Sequence, residues 1–481
     1  MSAVDRRTFL KNASTLGLGL AVASPSSLLH AAAPAPAARR RYAVVGTGSR
    51  SMMYQTAIET DFRDHAELVG LCDANPGRLQ LARERSRQLA GRTPPTFAPA
   101  DFEKMLATTK PDFVIVTTID GTHDDYIVRA MDAGCDVISE KPLTTTPEKC
   151  QRIVDARART GRTCRVTFNL RYAPACTHVK HLLMNGEIGD VLSVDLHWML
   201  NTAHGADYFR RWHAQKKNSG GLLVHKSTHH FDLVNWWLGA VPESVFATGK
   251  REFYTPAMAR RLGLAGPHER CRTCPEKSRC GFYVDLARNP ELKSLYLDHE
   301  HHDGYVRDRC IFRPEVDIED TMNVLVRYNT GATLTYSLNA FSAWEGYTIA
   351  FNGTRGRLEH SVGAPKPGGQ PVWGSTRITI LPLRGPAREI EPWTGVGDHH
   401  GGDRVMLEDL FLPSPAPDNY LRAADERAGA ASALVGMAAN RCFETGQPVA
   451  LKDLVRGLAA PTYSPMPSRT APVPMPPALP Q

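Results

Sequence analysis

The chain has 481 residues, of which 42% are hydrophobic and 22% charged, and its formal net charge is +7. The composition indicates a globular protein, and the length is too great for one ordinary core, so we expect two domains. The charge is mild for this size and no basic stripe with interleaved aromatic residues accompanies it, so a nucleic-acid partner is not indicated. After the N-terminus, no stretch has the roughly 18 apolar residues of a membrane span.

The first 33 residues have the features of a twin-arginine signal peptide. Arg6 and Arg7 precede an apolar, glycine-rich stretch from Leu16, and alanines at 31–33 offer a cleavage site. The alternative is a short helix that happens to carry two arginines. The signal predicts export by the twin-arginine machinery, which carries folded proteins, to the periplasm or the extracellular space.

Strands and helices alternate from residue 42 to residue 165, after a Pro- and Ala-rich leader over 34–41. The apolar pattern predicts strands at 42–45, 66–72, 112–118, 136–139 and 164–169. It predicts helices at 51–60, 76–89, 101–107, 122–134 and 146–159. Because strands that alternate with helices form parallel sheets covered on both faces, this segment predicts a doubly wound parallel α/β domain.

The pattern changes over residues 166–460, which we expect to form a second α/β domain. Strands are predicted at 192–200, 322–328, 332–338, 344–351 and 377–383. Asn329-Thr330-Gly331 is typical of a hairpin turn, and successive antiparallel strands predict a mainly antiparallel open sheet. An Ala-rich helix is expected over 422–442, and the proline-rich residues 461–481 predict an extended tail.

A glycine-rich turn after the first strand indicates a nucleotide site. Gly46 and Gly48 let the chain turn tightly and let its backbone approach a pyrophosphate, whose charge is favoured by the N-terminus of the next helix. Ser49 and Arg50 continue this turn and are expected to contact the cofactor. The alternative is a sharp turn with no ligand.

An acidic residue stands where such a site needs one. Asp73 follows the second predicted strand, so its carboxylate can accept hydrogen bonds from the ribose diol of an adenosine. The same carboxylate repels a 2′-phosphate, which favours NAD over NADP, although the nearby Arg78 keeps NADP open. The turn and the acid together predict a bound dinucleotide.

A second motif, Glu140-Lys141-Pro142, follows the strand predicted at 136–139. Such folds place their ligands at the carboxyl ends of parallel strands, so Lys141 is expected at the site. A lysine there can donate a hydrogen bond to a substrate hydroxyl and assist acid–base chemistry. With the glycine turn, it predicts redox chemistry by a nicotinamide cofactor.

These motifs, in this order along residues 42 to 360, resemble those of the Gfo/Idh/MocA oxidoreductases. The matching segments are Gly46-Thr47-Gly48, Asp73, Thr122-His123, Glu140-Lys141-Pro142, Asn169-Leu170-Arg171-Tyr172, and Gly220-Gly221 through His229 to Asp232. The resemblance implies a Rossmann domain followed by an α/β domain whose open sheet helps to form a carbohydrate pocket and often dimerises. We therefore expect a homo-oligomer and a small carbohydrate substrate.

The resemblance also implies roles for particular residues. Lys141 is implied to contact both the substrate and the nicotinamide, with Thr118, His123 and Glu140 on the cofactor side. Three residues of the next motif are implied to line the substrate pocket: Asn169, Arg171 and Tyr172. A later polar–aromatic cluster offers a wall for stacking a sugar or a domain interface: Tyr208, Arg211, Trp212 and His213.

The segment that ends at Asp232 is expected to supply the general base. His229 matches the family's histidine, and imidazole titrates in the range that proton abstraction from a hydroxyl needs. His225 stands where the family has an aspartate. If the segment is helical, spacings of four and three place His225, His229 and Asp232 on one face. His225 and Asp232 are then substrate contacts; a metal site or plain packing are the alternatives for His225.

Four of the ten cysteines lie in an apparent insertion over about 254–312. They are Cys271, Cys274, Cys280 and Cys310. A Cys-x2-Cys turn followed by two further thiols predicts a structural zinc site, with an iron–sulfur cluster second. Three histidines could replace the last cysteine: His299, His301 and His302. Two disulfides are the alternative, since an exported protein can form them.

Three functions fit these features. The first is an NAD(P)-dependent oxidoreductase that acts on a sugar, polyol or glycoside, with His229 as base and Lys141 assisting. Export removes the enzyme from any free NAD pool, so this function needs a tightly held cofactor that is recycled in place. The second is an NAD-dependent glycoside hydrolase that uses transient oxidation and elimination. The third is a non-catalytic, cofactor-bound sugar sensor.

Overall fold

The computed structural model describes residues 38–365, 369–372, 374–397 and 401–476. The predicted signal peptide lies outside these residues, as does the end of the predicted tail. The described chain is organised by one mostly parallel and one mostly antiparallel sheet, which confirms the predicted α/β fold class. No helix in these ranges is long and apolar enough to cross a membrane.

The N-terminal part alternates strands and helices as predicted. Its strands are β1 (Arg40–Val45), β2 (Ala66–Cys72), β3 (Thr96–Phe97), β4 (Phe113–Val116), β5 (Asp136–Ser139) and β6 (Cys164–Val166). Its helices are α1 (Ser51–Thr56), α2 (Pro76–Ala90), α3 (Phe102–Thr109), α4 (His123–Asp132) and α5 (Pro147–Thr160). The strands pair in parallel in the order β6-β5-β4-β1-β2-β3, so their carboxyl ends meet at one edge.

The second part builds an antiparallel sheet with helices on one side. Its strands are β7 (Val191–Asn201), β8 (Pro242–Lys250), β9 (Thr321–Tyr328), β10 (Thr333–Ser342), β11 (Gly346–Gly353), β12 (Gly356–Val362), β13 (Thr376–Pro382), β14 (Arg388–Ile390), β15 (Ala424–Asp425) and β16 (Val449–Ala450). Its helices are α6 (Pro174–Met184), α7 (Thr202–Arg210), α8 (Lys216–Ser219), α9 (Leu222–His225), α10 (Thr228–Leu238), α11 (Pro256–Arg261), α12 (Pro290–Leu295), α13 (Glu300–Asp303), α14 (Gly402–Phe411) and α15 (Glu426–Thr445).

The second sheet has the strand order β14-β13-β12-β11-β7-β10-β9-β8-β16, and within it β10 and β7 run parallel. Asn329-Thr330-Gly331 joins β9 to β10, as its hairpin pattern predicts. In β9, buried and exposed residues alternate, because one face packs on the helices and the other is open. The long helix α15 crosses the inner face against β8 and α10.

The chain returns to the first sheet near its C-terminus. Strand β15 pairs antiparallel with β6, at Ala424 opposite Val166, and becomes the seventh strand of that sheet. Helix α14 packs Leu410 and Phe411 into the core formed by Tyr42 and its neighbours. Residues from both ends of the chain therefore build the first domain.

Two predicted helices differ from the structure. The helix expected at 51–60 ends as an α-helix at Thr56 and continues as a π-helix over Ala57–Asp61. The segment expected to carry three polar side chains on one helical face is divided into α9 and α10 at Lys226 and Ser227, although both of these residues keep right-handed helical torsions. His225 and His229 line the same cavity, whereas Asp232 does not.

Candidate active site

A cleft of about 1130 Å³ opens along the carboxyl ends of β1, β2, β4 and β5. Gly46, Gly48 and Asp73 line one end of it, and Lys141 and His229 line the other. Two segments that are distant in sequence therefore face one continuous cavity. The parallel strands produce this arrangement, since each delivers the residue that follows it to the same edge.

The turn at Gly46 is built for a backbone that approaches a ligand. Gly46 has a φ of +87°, and a Cβ there would lie 2.7 Å from backbone atoms of Thr117. Both facts require glycine. The turn is tied down because the Thr47 amide donates to Asp73 Oδ2 at 2.5 Å. This cradle, open to the cleft at Gly48 and Ser49, fits the pyrophosphate of a dinucleotide.

The carboxylate of Asp73 is held by several hydrogen-bond donors. Asp73 Oδ1 accepts from the Asn75 amide at 2.7 Å and from Arg78 at 3.2 Å. Arg78 also donates to Asp303 at 2.6 Å. Although burial opposes it, the two carboxylates raise the pKa of Arg78. Arg78 thus forms ion pairs with two carboxylates at this end of the cleft.

Glu140 lines the cleft as a paired anion. Its Oε1 accepts from Arg50 Nε at 2.5 Å and from the Tyr54 hydroxyl at 2.8 Å. Burial works against the charge, but Arg50 and Lys141 lower the pKa of Glu140 overall. Glu140 therefore fixes the side chain of Arg50, which follows Gly48 and Ser49 and also lines the cleft.

Lys141 is positioned by its neighbours on both sides. The Lys141-Pro142 peptide bond is cis. The Pro142 carbonyl lies 2.8 Å from His123 Nδ1, and His123 Nε2 lies 3.2 Å from the Thr118 carbonyl. Lys141 Nζ donates to the His225 carbonyl at 3.2 Å. Burial lowers the pKa of Lys141, while Asp120 and Glu140 oppose that effect.

The imidazole of His225 is bonded to a carboxylate. Its Nδ1 lies 2.5 Å from Asp120 Oδ2, a distance that needs one proton between the two atoms. Burial raises the pKa of Asp120 and lowers the pKa of His225, and Lys141 adds to the lowering of the latter. Burial thus disfavours the charged form of each partner, and the short hydrogen bond satisfies both buried side chains.

His229 lies in α10 and faces the same end of the cleft as Lys141. It is 7% exposed, and its ring meets the edge of Phe168 with centroids 5.9 Å apart. The aromatic cluster expected from the sequence also lines the cleft. The ring centroids of Trp212 and His213 lie 3.6 Å apart, and those of His213 and His225 lie 4.2 Å apart. Burial strongly lowers the pKa of His213, whereas Arg211 of the same cluster lines the cleft as a cation that pairs with Asp207 at 2.8 Å.

Lys226 also lines the cleft, and no motif indicated it. Its Nζ lies 5.4 Å from the centroid of Trp198. Burial, helped by the positive charge of Lys141, lowers the pKa of Lys226 to about 8. The sequence did not indicate Asp120 either, because its partner His225 lies 105 residues away in the chain. Only the position of Asp120 just after β4 could have pointed to it.

Three of the expected substrate contacts lie away from the cleft. Arg171 and Asp232 form a doubly bonded ion pair at 2.5 and 2.7 Å, each side chain 1% exposed. Tyr172 donates to Asp409 at 2.6 Å. Asn169 does line the cleft and donates to Asp403 at 2.7 Å. Of the five residues expected to touch substrate, Asn169 and His225 are the two that the fold brings to the cavity.

The four cysteines of the insertion surround a separate small cavity of about 30 Å³. Every described cysteine is a free thiol. No group of three His, Cys, Asp or Glu side chains within the described ranges is arranged to hold a metal ion. The zinc and iron–sulfur assignments, and the disulfide alternative, therefore stay predictions.

Two family models match the chain. The NAD-binding Rossmann fold of the Gfo/Idh/MocA oxidoreductase family matches residues 40–168, and the C-terminal alpha/beta domain of that family matches residues 180–451. YteT of Bacillus subtilis, named as an oxidoreductase, is 38% identical over 418 residues, which cover 85% of this chain and 97% of the relative.

Two further comparisons are more partial. The scyllo-inositol 2-dehydrogenase (NAD(+)) of Bacillus subtilis is 29% identical over 211 residues, 44% of this chain and 57% of that protein. The crystal structure of aldose-aldose oxidoreductase from Caulobacter crescentus, at 17% identity, covers 86% of this chain and 100% of its own with a TM-score of 0.57. At that identity the likeness concerns the fold alone.

Proposed function

The chain belongs to the Gfo/Idh/MocA family of oxidoreductases, and on that basis we propose that it oxidises a hydroxyl of a sugar, polyol or glycoside. One observation carries the proposal: Lys141 and His229 line the same cleft as the glycine turn of the nucleotide site. An acid–base pair and a hydride acceptor can then act on one carbon of a substrate held between them.

The residues divide the chemistry between them. NAD, when bound, accepts the hydride from the carbon that carries the reacting hydroxyl. His229 takes the proton of that hydroxyl, and Lys141 donates a hydrogen bond to its oxygen. The Asp120–His225 pair does not itself exchange a proton with the substrate but positions Lys141. The His225 carbonyl accepts a hydrogen bond from the Lys141 ammonium group, and Asp120 holds the His225 ring.

The charges around Asp73 support NAD rather than NADP as the cofactor. Arg78, the cation nearest to the ribose site, already bonds both Asp73 and Asp303. A 2′-phosphate would have to break one of these pairs or stand beside two carboxylates. The hydroxyls of an unphosphorylated ribose need only acceptor oxygens, which Asp73 offers.

Export and self-association complete the proposal. The Arg6-Arg7 signal supports export through the twin-arginine machinery. On the open face of the second sheet, Phe246 and Leu325 are cross-strand partners that remain 43% and 53% exposed. Large apolar side chains on an open sheet support a homo-oligomer that covers them.

The test combines nucleotide content with turnover. Mature protein is first examined by native mass spectrometry for retained nucleotide and subunit number, then assayed against sugars, polyols and glycosides. We expect NADH to form with at least one neutral sugar or polyol. His229→Gln and Lys141→Met should each lower kcat/KM by about 10²–10⁴, and His229→Gln should leave the nucleotide content unchanged. The matched surface variants His197→Gln and Lys250→Met should behave as wild type.

Two results would contradict the dehydrogenase. Deuterium exchange at the carbon next to the oxidised one, with aglycone release and no net NADH, would instead support glycoside hydrolysis by transient oxidation. Unchanged activity and ligand affinity in Lys141→Met would support a sensor that binds without reacting.

A further inference from the structure

The insertion over residues 254–312 covers the nucleotide end of the cleft. Four of its side chains line that cavity: Tyr296, Asp303, Tyr305 and Arg307. Helix α12 packs against α2, whose first turn follows Asp73. The nucleotide site therefore has two walls, the glycine turn of the Rossmann domain and the segment 254–312 of the second domain.

The first contact is between Tyr296 and the glycine turn. The Ser49 amide donates to the Tyr296 hydroxyl at 3.1 Å, and a Cβ at Gly48 would lie 3.4 Å from the same oxygen. The hydroxyl accepts this bond with a lone pair, so its own proton stays available to donate. An anion bound at the glycine turn would therefore lie beside a hydroxyl donor from the opposite wall.

The positively charged side chain of Arg307 lies beside Tyr296. The Arg307 guanidinium lies over the Tyr296 ring, 4.4 Å from its centroid, and also lines the cleft. In the described parts of the chain Arg307 forms no ion pair. Most other arginines at this end of the cleft are neutralised, as Arg50 is by Glu140 and Arg78 by two carboxylates. Arg307 is thus a positive charge without an ion-pair partner among the described residues, and it lines the cleft beside Tyr296.

The insertion also contacts the residues of the Rossmann domain that follow Asp73. Asp303 accepts from Arg78 at 2.6 Å, and the His299 carbonyl accepts from Asn75 Nδ2 at 2.9 Å. The fit is close, because a Cβ at Gly77 would lie 2.2 Å from the His299 ring. These contacts hold the insertion on the residues that follow β2.

The insertion is also braced internally. Arg270 bonds both oxygens of Glu300 at 2.9 Å and Asp308 at 2.6 Å. The Asp308 carbonyl accepts from the Cys271 amide at 2.8 Å. Glu300 and Asp308 lie on either side of the residues that line the cleft, Asp303, Tyr305 and Arg307. The bonds of Arg270 to both therefore help to fix the position of Arg307.

We propose that the insertion is a nucleotide clamp, in which Arg307 and Tyr296 bind the pyrophosphate of the dinucleotide and slow its release. A pyrophosphate carries two negative charges, and the glycine turn supplies only amides and a helix N-terminus on its side. Arg307 supplies the full positive charge from the opposite side. A nucleotide held between both walls leaves only when the insertion moves, which suits an enzyme that keeps its cofactor.

The clamp is tested by measuring release without any substrate, so the result does not depend on the proposed reaction. Protein loaded with NADH is mixed with excess NAD, and the fall of NADH fluorescence gives the dissociation rate. Arg307→Met should release NADH at least about tenfold faster, since a charge-assisted phosphate contact is lost. Tyr296→Phe should release it a few-fold faster, and Arg307→Lys should be intermediate.

Arg288→Met is the matched control, because Arg288 lies in the insertion with its side chain 85% exposed and is far more solvent-exposed than the lining residues. It should release NADH at the wild-type rate. Wild-type release from both Arg307→Met and Tyr296→Phe would overturn the clamp. So would slower release from Tyr296→Phe, which would mean that the phenol competes with the nucleotide for the Ser49 amide.

A second measurement needs no variant. Amide hydrogen exchange of the wild-type protein is compared with and without bound NAD. We expect slower exchange over residues 295–308, in addition to the glycine turn, because the clamp closes on the ligand. Protection of the turn alone, with unchanged exchange in the insertion, would overturn the proposal even if the variants proved unstable.

Discussion

Lys141 Nζ donates its hydrogen bond to the backbone carbonyl of His225 and not to its side chain, at 3.2 Å. The contact therefore survives any change of side chain at position 225, including the aspartate that the family has there. The imidazole is left to bond Asp120, at 2.5 Å. The departure at position 225 thus places a hydrogen-bonded Asp120–His225 pair near Lys141.

Removing the positive charge of Lys226 should move the pH dependence of catalysis. Lys141 and Lys226 repel each other, and this repulsion contributes to the lowered pKa of Lys226. Coulomb interactions are mutual, so Lys226→Met should raise the pKa of Lys141. Because Lys141 acts as a protonated donor, activity is lost as the pH rises through its pKa. The alkaline limb of kcat/KM should then move to higher pH.

The measurement is a pH profile of kcat/KM from pH 6 to 10 with the best substrate of the panel. Lys250→Met removes an exposed lysine charge, with the side chain 64% exposed, and should leave the profile unchanged. An alkaline limb in Lys226→Met that stays in place or moves to lower pH would mean that Lys141 does not act in its charged form.

Breaking the buried pair of Arg171 and Asp232 should destabilise the fold. Arg171→Met leaves the Asp232 carboxylate buried without its partner, at a cost of about 3–5 kcal/mol in the free energy of unfolding. The double variant Arg171→Met, Asp232→Leu removes both charges and should recover most of that loss. Urea unfolding followed by tryptophan fluorescence measures both.

The surface pair of Arg357 and Glu359 is the control, with side chains 38% and 49% exposed. Arg357→Met should cost less than about 1 kcal/mol. If Arg171→Met unfolds at the wild-type urea concentration but loses turnover, the pair acts on substrate and not on the fold.

Local sequence patterns predicted most of the strands. The bounds of β2 and β5 coincide with the predicted 66–72 and 136–139, because continuous apolar runs between turn residues leave little choice. The glycine turn and Asp73 were also predictable, since the two lie at the ends of neighbouring strands of one parallel sheet.

Other features depend on partners that are distant in the chain. Arg171 matches a pocket motif, yet its side chain pairs with Asp232. The spacing of residues in the sequence does not indicate which acceptor an arginine will bond. The return of β15 to pair with β6 adds two residues to a sheet that is otherwise complete 258 positions earlier. The insertion's contact with Ser49 is of the same kind, because it spans 247 residues.

The preference for NAD over NADP should weaken when Asp303 loses its charge. Asp303→Asn removes one of the two carboxylates that neutralise Arg78, so the guanidinium can turn to a 2′-phosphate. We expect the ratio of the NADPH and NADH dissociation constants to fall about three- to tenfold, the effect of removing one charge from a single ion pair. Fluorescence titration of nucleotide-free protein gives both constants. Asp298→Asn, which removes an exposed partner of Lys293, should leave the ratio unchanged.

A charge on the open face of the second sheet should separate the subunits. Phe246 on β8 lies opposite Leu325 on β9, and both remain largely exposed in one chain. Phe246→Glu or Leu325→Glu would bury a carboxylate in any interface that uses this face, so each should shift the protein to monomers in light scattering coupled to size exclusion. Leu262→Glu, at a 49% exposed position in the insertion, is the matched control and should leave the mass unchanged. Wild-type mass in both sheet variants would place the interface elsewhere.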